Sequence, residues 1–235
     1  MVTLPTLPEL LEAGVHFGHK TARWNPKMKS SIFASKSGVH IINLEKTQEQ
    51  LKAALGFLAS EAKAGKTIVF VGTKKQAQEI VKKAAESCDM PYVTARWLGG
   101  TITNFDIVQR AFKKLDRAKL TLQSKEAEAL TKRDKSLLQK EIEKSEKLVG
   151  GLVKLQKRPD VLILIGAYDE KNANLEANMV GIPTIALVDT NADPAKVAYP
   201  IAANDDATKS ISLFSDLFAK TIKENKFAGK VGENK

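Results

Sequence analysis

Ile68 to Val71 (IVFV), Val161 to Ile165 (VLILI) and Ile185 to Val188 (IALV) are apolar at every position. A strand with no polar face must be covered on both sides, which calls for a mainly parallel sheet between two layers of helices. The intervening segments supply those helices. Between Glu45 and Ala64, Leu51, Ala54, Leu55 and Leu58 recur at helical spacing, and Gly65 supplies the stop. Lys74 to Ser87 and Asn172 to Val180 follow the same pattern, the second closed by Gly181. A last helix over Asp206 to Lys223 presents Ile211, Phe214, Leu217, Phe218 and Ile222 on one face. Shorter strands are expected at Val39 to Leu44 and Tyr92 to Thr94, and a short amphipathic helix or turn around Leu4, Leu7, Leu10 and Leu11. The fold class is therefore α/β, a doubly wound parallel sheet.

One segment does not fit that alternation. Glycine and proline vanish from Phe105 to Val149, charges alternate in sign, and Phe105, Val108, Phe112, Leu115 and Leu122 fall three, four or seven residues apart. The pattern resumes at Leu138, Ile142, Val149 and Leu152. Two helical arms reversing near Ser124 to Asp134 would bury these stripes against each other as an antiparallel, coiled-coil-like hairpin. The expected organisation is an α/β domain from 1–103 and 158–226, a hairpin insertion at 104–157, and a flexible tail at 227–235.

The chain carries 37 basic and 27 acidic residues, a net charge of +10, which points to a polyanionic partner. Cys88 is the only cysteine, so no intrachain disulfide framework exists and a reducing compartment is expected. No run of about 18 apolar residues occurs, so no membrane partner is expected. The positive charge is densest between Val15 and Lys36, where Lys20, Arg23, Lys27, Lys29 and Lys36 surround two histidines and the rings of Phe17, Trp24 and Phe33 without one acidic residue. Cations interleaved with flat rings suit an RNA surface, the cations meeting phosphates and Trp24 stacking on a base.

Other motifs are weaker. Val71-Gly72-Thr73-Lys74-Lys75 sits where a doubly wound fold places a phosphate loop, yet it matches neither G-x-G-x-x-G nor G-x-x-x-x-G-K-[ST]. Lys74 and Lys75 remain candidates for RNA phosphates, or for a solvated helix start. Asp169, Glu170, Asp189, Asp193, Asp205 and Asp206 gather late in the chain, where turn and cap chemistry accounts for them better than metal binding or acid–base work. His16 and His19 have a metal-like spacing, but only His40 and Cys88 remain as further soft ligands, too few for a closed tetrahedral site made by this chain. No metal or cofactor is expected, and Cys88 reads as a structural thiol. In Arg96-Trp97-Leu98-Gly99-Gly100, Arg96 is a candidate phosphate contact, while Trp97 is either a stacking platform or a core anchor.

The segments AGVHFGHKTARWNPKM, INLEKT, VGTKKQA, RWLGGTITNF and IPTIALVDTNADPAKVAYPIAANDDATKSI, running in order from Ala13 to Ile211, closely resemble the bacterial small-subunit ribosomal protein family conventionally numbered two. The resemblance implies a flavodoxin-like sheet with an inserted helical hairpin, and a non-enzymatic, cytoplasmic protein bound to small-subunit ribosomal RNA. It also implies neighbouring ribosomal proteins as partners, including the large multi-domain protein that delivers messenger RNA. Gly166 to Asn172 departs from the family pattern, which has an Asp-Pro and a Lys-Glu pair there. Two rival readings stand: a doubly wound enzyme using the Gly72 turn and Asp189, and a free RNA-binding regulator.

Overall fold

The computed structural model describes residues 3–124, 131–153 and 155–232. Its centre is a five-stranded, all-parallel sheet of β4 (Ile68–Val71), β5 (Tyr92–Val93), β6 (Val161–Leu164), β7 (Thr184–Val188) and β8 (Tyr199–Ala202), in the order β5-β4-β6-β7-β8. That is the doubly wound order, and its direction of winding reverses between β4 and β6. Strand β8 has no sequence-based counterpart above because Pro200 interrupts it. Proline is tolerated here because β8 is an edge strand, with only β7 beside it.

Side chains alternate along the strands into two cores. Ile68, Phe70, Ile163, Ile185, Leu187 and Ile201 face the layer formed by α2 (Leu44–Lys63), α3 (Lys75–Ser87) and α7 (Thr208–Gly232), with Leu10 of α1 (Leu7–Glu12) closing its edge. Val69, Val71, Leu162, Leu164, Ala186 and Val188 face the other layer, made of α6 (Lys171–Val180), the base of the helical pair α4 (Phe105–Gln123) and α5 (Lys132–Val149), and two residues of the N-terminal segment, Met28 and Ile42. Local chemistry sets the helix ends. The Asn43 side chain accepts from the amides of Glu45 and Lys46 at the start of α2, and Gly181, at φ 75°, stops α6 in the left-handed region.

The stripes of the helical pair meet more than each other. Phe105, Val108, Phe112, Leu115, Ile142, Val149 and Leu152 are all buried in a cluster continuous with the sheet's second face. Farther out the burial lapses, with Leu120 64% and Leu137 57% exposed, and the two helices are linked by Lys114–Glu141 and Lys119–Glu146 ion pairs of 2.6 and 2.8 Å. The reversal expected near Ser124 to Asp134 falls largely on 125–130, outside the described residues. Helix α7 runs to Gly232, past Lys226 where a tail was expected, and 233–235 lie outside the described residues.

Candidate nucleic-acid interface

The basic segment folds as a small lobe of its own. Strands β1 (Phe17–Lys20), β2 (Ile32–Lys36) and β3 (Val39–Ile42) form an antiparallel sheet with β3 in the middle. Lys20 and Lys36 are both paired with Val39, one from each side. Residues on one rung of a sheet project to the same face, so these two ammonium groups flank a single apolar side chain. Lys20, Arg23, Trp24, Lys27, Lys29 and Lys36 are all exposed, and among the described residues Lys20, Arg23, Lys29 and Lys36 have no ion-pair partner. Trp24 leans on His40 at a ring separation of 5.3 Å, which leaves part of the indole uncovered.

The lobe is seated on the carboxyl ends of β7 and β8. The His19 amide donates to Thr190 Oγ1 at 2.8 Å and the Asn25 amide to the Thr190 carbonyl at 2.7 Å. Asn204 donates through its backbone to Val15 O and through Nδ2 to Gly14 O, both at 3.0 Å. A side chain at Gly18 would place its Cβ 2.6 Å from the Thr190 methyl, so glycine is what lets β1 approach. Lys27 closes the contact with a 2.7 Å ion pair to Asp193, holding that carboxyl below its usual range.

Beneath the lobe lies a crevice of charged groups. Lys74 is drawn inward to Asp205 (2.6 Å), Asp206 (2.8 Å) and Asp169 (3.1 Å). Burial opposes its charge, but the aspartates more than compensate and raise its pKa. His19 Nδ1 lies 3.1 Å from Asp189 Oδ2, and this contact raises the imidazole pKa. Glu170 is buried beside α3. It accepts from the Thr73 amide at 2.6 Å and from the Thr73 hydroxyl at 2.7 Å, while burial pushes its carboxyl up.

The candidate residues therefore divide. The six of the N-terminal lobe come together on one surface. Lys75 is exposed at the start of α3, and Arg96 is exposed just past β5, at the opposite edge of the sheet from β8. Lys74 is a correction: its ammonium is spent on three aspartates, so it is withdrawn from the phosphate contacts. The turn-and-cap reading holds for Asp193, which accepts from the Ala195 amide, for Asp189, which accepts from the Thr190 amide, and for 204–206, where Asn204 Oδ1 accepts from the Asp206 and Ala207 amides. In addition, Asp169, Asp189, Asp205 and Asp206 share the crevice with His19 and Lys74. Of these two histidines, His16 packs against Phe17 with the rings tilted by 38°, and His19 is the one that reaches the aspartates.

Trp97 is a core anchor, 7% exposed, with its Nε1 donating to Glu176 at 3.0 Å. Cys88 is buried and its thiol is pushed up to about 11 by desolvation, as befits an inert structural residue. Glu176 escaped the sequence reading. It collects five hydrogen bonds from Trp97, Gly100, Ile102 and Thr103. Its signal was a carboxylate sharing the buried face of α6 with Ala173 and Ala177.

A doubly wound sheet whose phosphate position is closed by its own glutamate, with a cationic lobe over its carboxyl edge, defines a non-catalytic binding protein of the α/β class. The chain belongs to the ribosomal protein S2 family, whose model matches residues 10–225. Similar proteins include the small ribosomal subunit protein uS2 of Coprothermobacter proteolyticus, 45% identical over 94% of this chain and 82% of that protein. Another is the small ribosomal subunit protein uS2 of Helicobacter hepaticus, 44% identical over 97% of this chain and 87% of that protein.

Proposed function

We propose that this chain is a structural constituent of the small ribosomal subunit, with no enzymatic role, and that its N-terminal lobe grips ribosomal RNA. The observation that carries the interface is the surface of Lys20, Arg23, Lys29 and Lys36, exposed and without an ion-pair partner among the described residues, on a lobe hydrogen-bonded to the sheet. Backbone phosphates are the matching ligand, since such contacts fix register without reading sequence. Lys27 contributes through its remaining exposure, Trp24 offers the uncovered part of its ring for stacking, and Lys75 and Arg96 are outlying phosphate contacts. Family membership supports neighbouring small-subunit proteins as partners, the large multi-domain protein that delivers messenger RNA among them, and residence on cytoplasmic ribosomes. Among the described residues no helix is long and apolar enough to cross a membrane.

The enzyme reading fails at the Gly72 turn. A bound phosphate would need the Thr73 amide at the start of α3, and Glu170 already takes it. Changing Lys20, Arg23, Lys29 and Lys36 to glutamine tests the interface. The variant should bind small-subunit RNA more weakly, and its log–log salt slope should flatten by roughly 0.7–0.9 per lost phosphate contact. Thermal melting should stay at the wild-type temperature. Wild-type affinity and slope in that variant would remove the interface.

A further inference from the structure

The outer face of α6 lacks the charges that a solvated helix carries. Lys171, Leu175 and Met179 follow one another along it at every fourth residue, with Leu175 46% and Met179 77% exposed. Tyr168, in the turn before the helix, is 54% exposed. Asn172 and Asn178 flank the row, and the one carboxylate of the helix, Glu176, is buried against Trp97. Helix α3 shows the ordinary pattern, with Lys75, Glu79, Lys83 and Glu86 at its exposed positions. A single exposed apolar residue needs no explanation, but three large ones on one side of a helix, with no acidic residue among them, mark a surface that meets a partner.

That face forms one wall of a groove of about 250 Å3, lined by Tyr168, Lys171 and Leu175 and, from the loop after β7, by Asn191, Ala192 and Lys196. The two walls are tied together. Asn174 and Asn178 each donate through Nδ2 to the Lys196 carbonyl, at 3.0 and 2.9 Å, so the groove is formed before anything enters it. The carboxylates beside it are already neutralised, Asp193 by Lys27 at 2.7 Å and Asp169 by Lys74 at 3.1 Å. Lys171 and Lys196 are exposed and have no ion-pair partner among the described residues.

We propose that α6 and the 191–196 loop dock an amphipathic helix of another protein, one that carries aliphatic or aromatic anchors on one face and carboxylates beside them. Positions four apart on a helix are separated by about 6 Å along its axis, so Lys171, Leu175 and Met179 make a row about 12 Å long. Two turns of a partner helix, with anchors at i, i+3 or i+4, and i+7, match that length. Charge decides between occupants. RNA would satisfy the two lysines but leave Leu175 and Met179 against sugar and phosphate. A second copy of this chain, related by a two-fold axis, would set the lysines of one copy against those of the other. An acidic helix satisfies both the apolar row and the cations. This goes beyond the RNA-binding reading and does not depend on it.

The full chain is titrated into a fluorescent helical peptide of about 18 residues, leucine along one face and glutamate elsewhere, and binding is followed by anisotropy. Saturable one-to-one binding is expected. Leu175→Gln combined with Met179→Gln should weaken it at least about tenfold, because apolar anchors dominate such interfaces. Both positions are exposed, so the melting temperature should not change. Lys171→Gln combined with Lys196→Gln should weaken binding less and flatten its salt dependence. The variant with Lys20, Arg23, Lys29 and Lys36 changed to glutamine should bind the peptide as the wild type does, which separates this surface from the RNA interface. In cells, a photoreactive phenylalanine in place of Met179 should crosslink to a protein segment of acidic, amphipathic sequence, read by mass spectrometry. The proposal is overturned by equal peptide affinity in the wild type and the Leu175/Met179 variant, or by equal binding of a peptide with lysine in place of glutamate. A crosslink to RNA, to a second copy of this chain or to nothing overturns it as well.

Discussion

Replacing Glu176 by glutamine preserves the shape of the side chain and swaps one carboxylate oxygen for an NH2 group. In the structure Oε1 accepts from Trp97 Nε1 at 3.0 Å and from the Gly100 amide at 2.8 Å. Oε2 accepts from the amides of Ile102 and Thr103 at 3.0 and 3.3 Å, and from the Thr103 hydroxyl at 3.2 Å. In Glu176→Gln one of these sets keeps its oxygen and the other faces a donor. If the Oε2 side is lost, the hydroxyl can rotate but the two backbone N–H groups cannot. The Ile102 amide is the buried one of the two, and an orphaned buried donor costs about 1–3 kcal/mol, so the loss should be about 1–3 kcal/mol. For a domain of this size one kcal/mol corresponds to about 2–4 °C in Tm. A Tm lower by roughly 2–12 °C is expected by calorimetry at neutral pH. Glutamine placed the other way orphans Trp97 Nε1 and the Gly100 amide, at similar cost.

Near-ultraviolet circular dichroism and Trp97 fluorescence, read in a Trp24→Phe background, should show that the 97–103 loop loosens first. A variant melting within about 1 °C of wild type would refute the claim that Glu176 organises the loop, because an unmet buried donor cannot be that cheap.

Acidification should open the same loop. Burial works against the Glu176 carboxylate, but its hydrogen bonds prevail and hold its pKa below the ordinary 4.5. The stabilisation is therefore complete above that value and is lost as pH falls through the lower folded-state value, which Trp97 fluorescence against pH would follow. Gly151→Ala should destabilise strongly, since its Cβ would fall 2.3 Å from the Tyr92 carbonyl oxygen, and a melting curve unchanged from wild type would contradict that contact. Replacing residues 120–137 with a short glycine linker should leave a cooperatively melting protein, whereas excising 104–157 should not. The second deletion strips Phe105, Phe112 and Leu152 from the second core, and equal cooperativity in both variants would disprove the shared core.

Much of the central domain is legible in the sequence because its strands are apolar on both faces, a pattern with one solution. IVFV, VLILI and IALV form β4, β6 and β7, and the helices between them follow from spacing and from stops such as Gly181. Of the small sheet of the lobe only the central strand, expected at Val39 to Leu44 and found at Val39–Ile42, is legible. FGHK and IFASK have no buried face, every residue being exposed or half-exposed, so nothing in their own pattern announces a strand. They are ordered by docking on Thr190, 171 residues from His19 in the chain. Lys74 and Lys75 are neighbours in the sequence with opposite fates, because the turn into α3 sends one to the crevice and the other to solvent. The acid crevice is hidden for a similar reason. Asp189 and Asp205 meet only because the parallel β7–β8 ladder pairs Val188 with Ala202 and brings the two strand ends level.

The same carboxyl edge shows what occupies the usual ligand positions of a doubly wound fold in this chain. A doubly wound sheet leaves a crevice at the carboxyl ends of its strands, and ligands enter there because helix N-termini and turn amides point into it. In this chain the position at β4 is filled by Glu170, whose carboxylate occupies the Thr73 amide as a phosphate would. The positions at β7 and β8 are filled by the lobe, through Thr190 to His19 and Asn25 and through Asn204 to Gly14 and Val15. Groups that would hold a small ligand instead hold a piece of the same polypeptide. The lobe's outward face is then fixed on a rigid base, with Lys20, Arg23, Lys29 and Lys36 free of ion-pair partners among the described residues, as the proposed backbone-reading RNA surface requires.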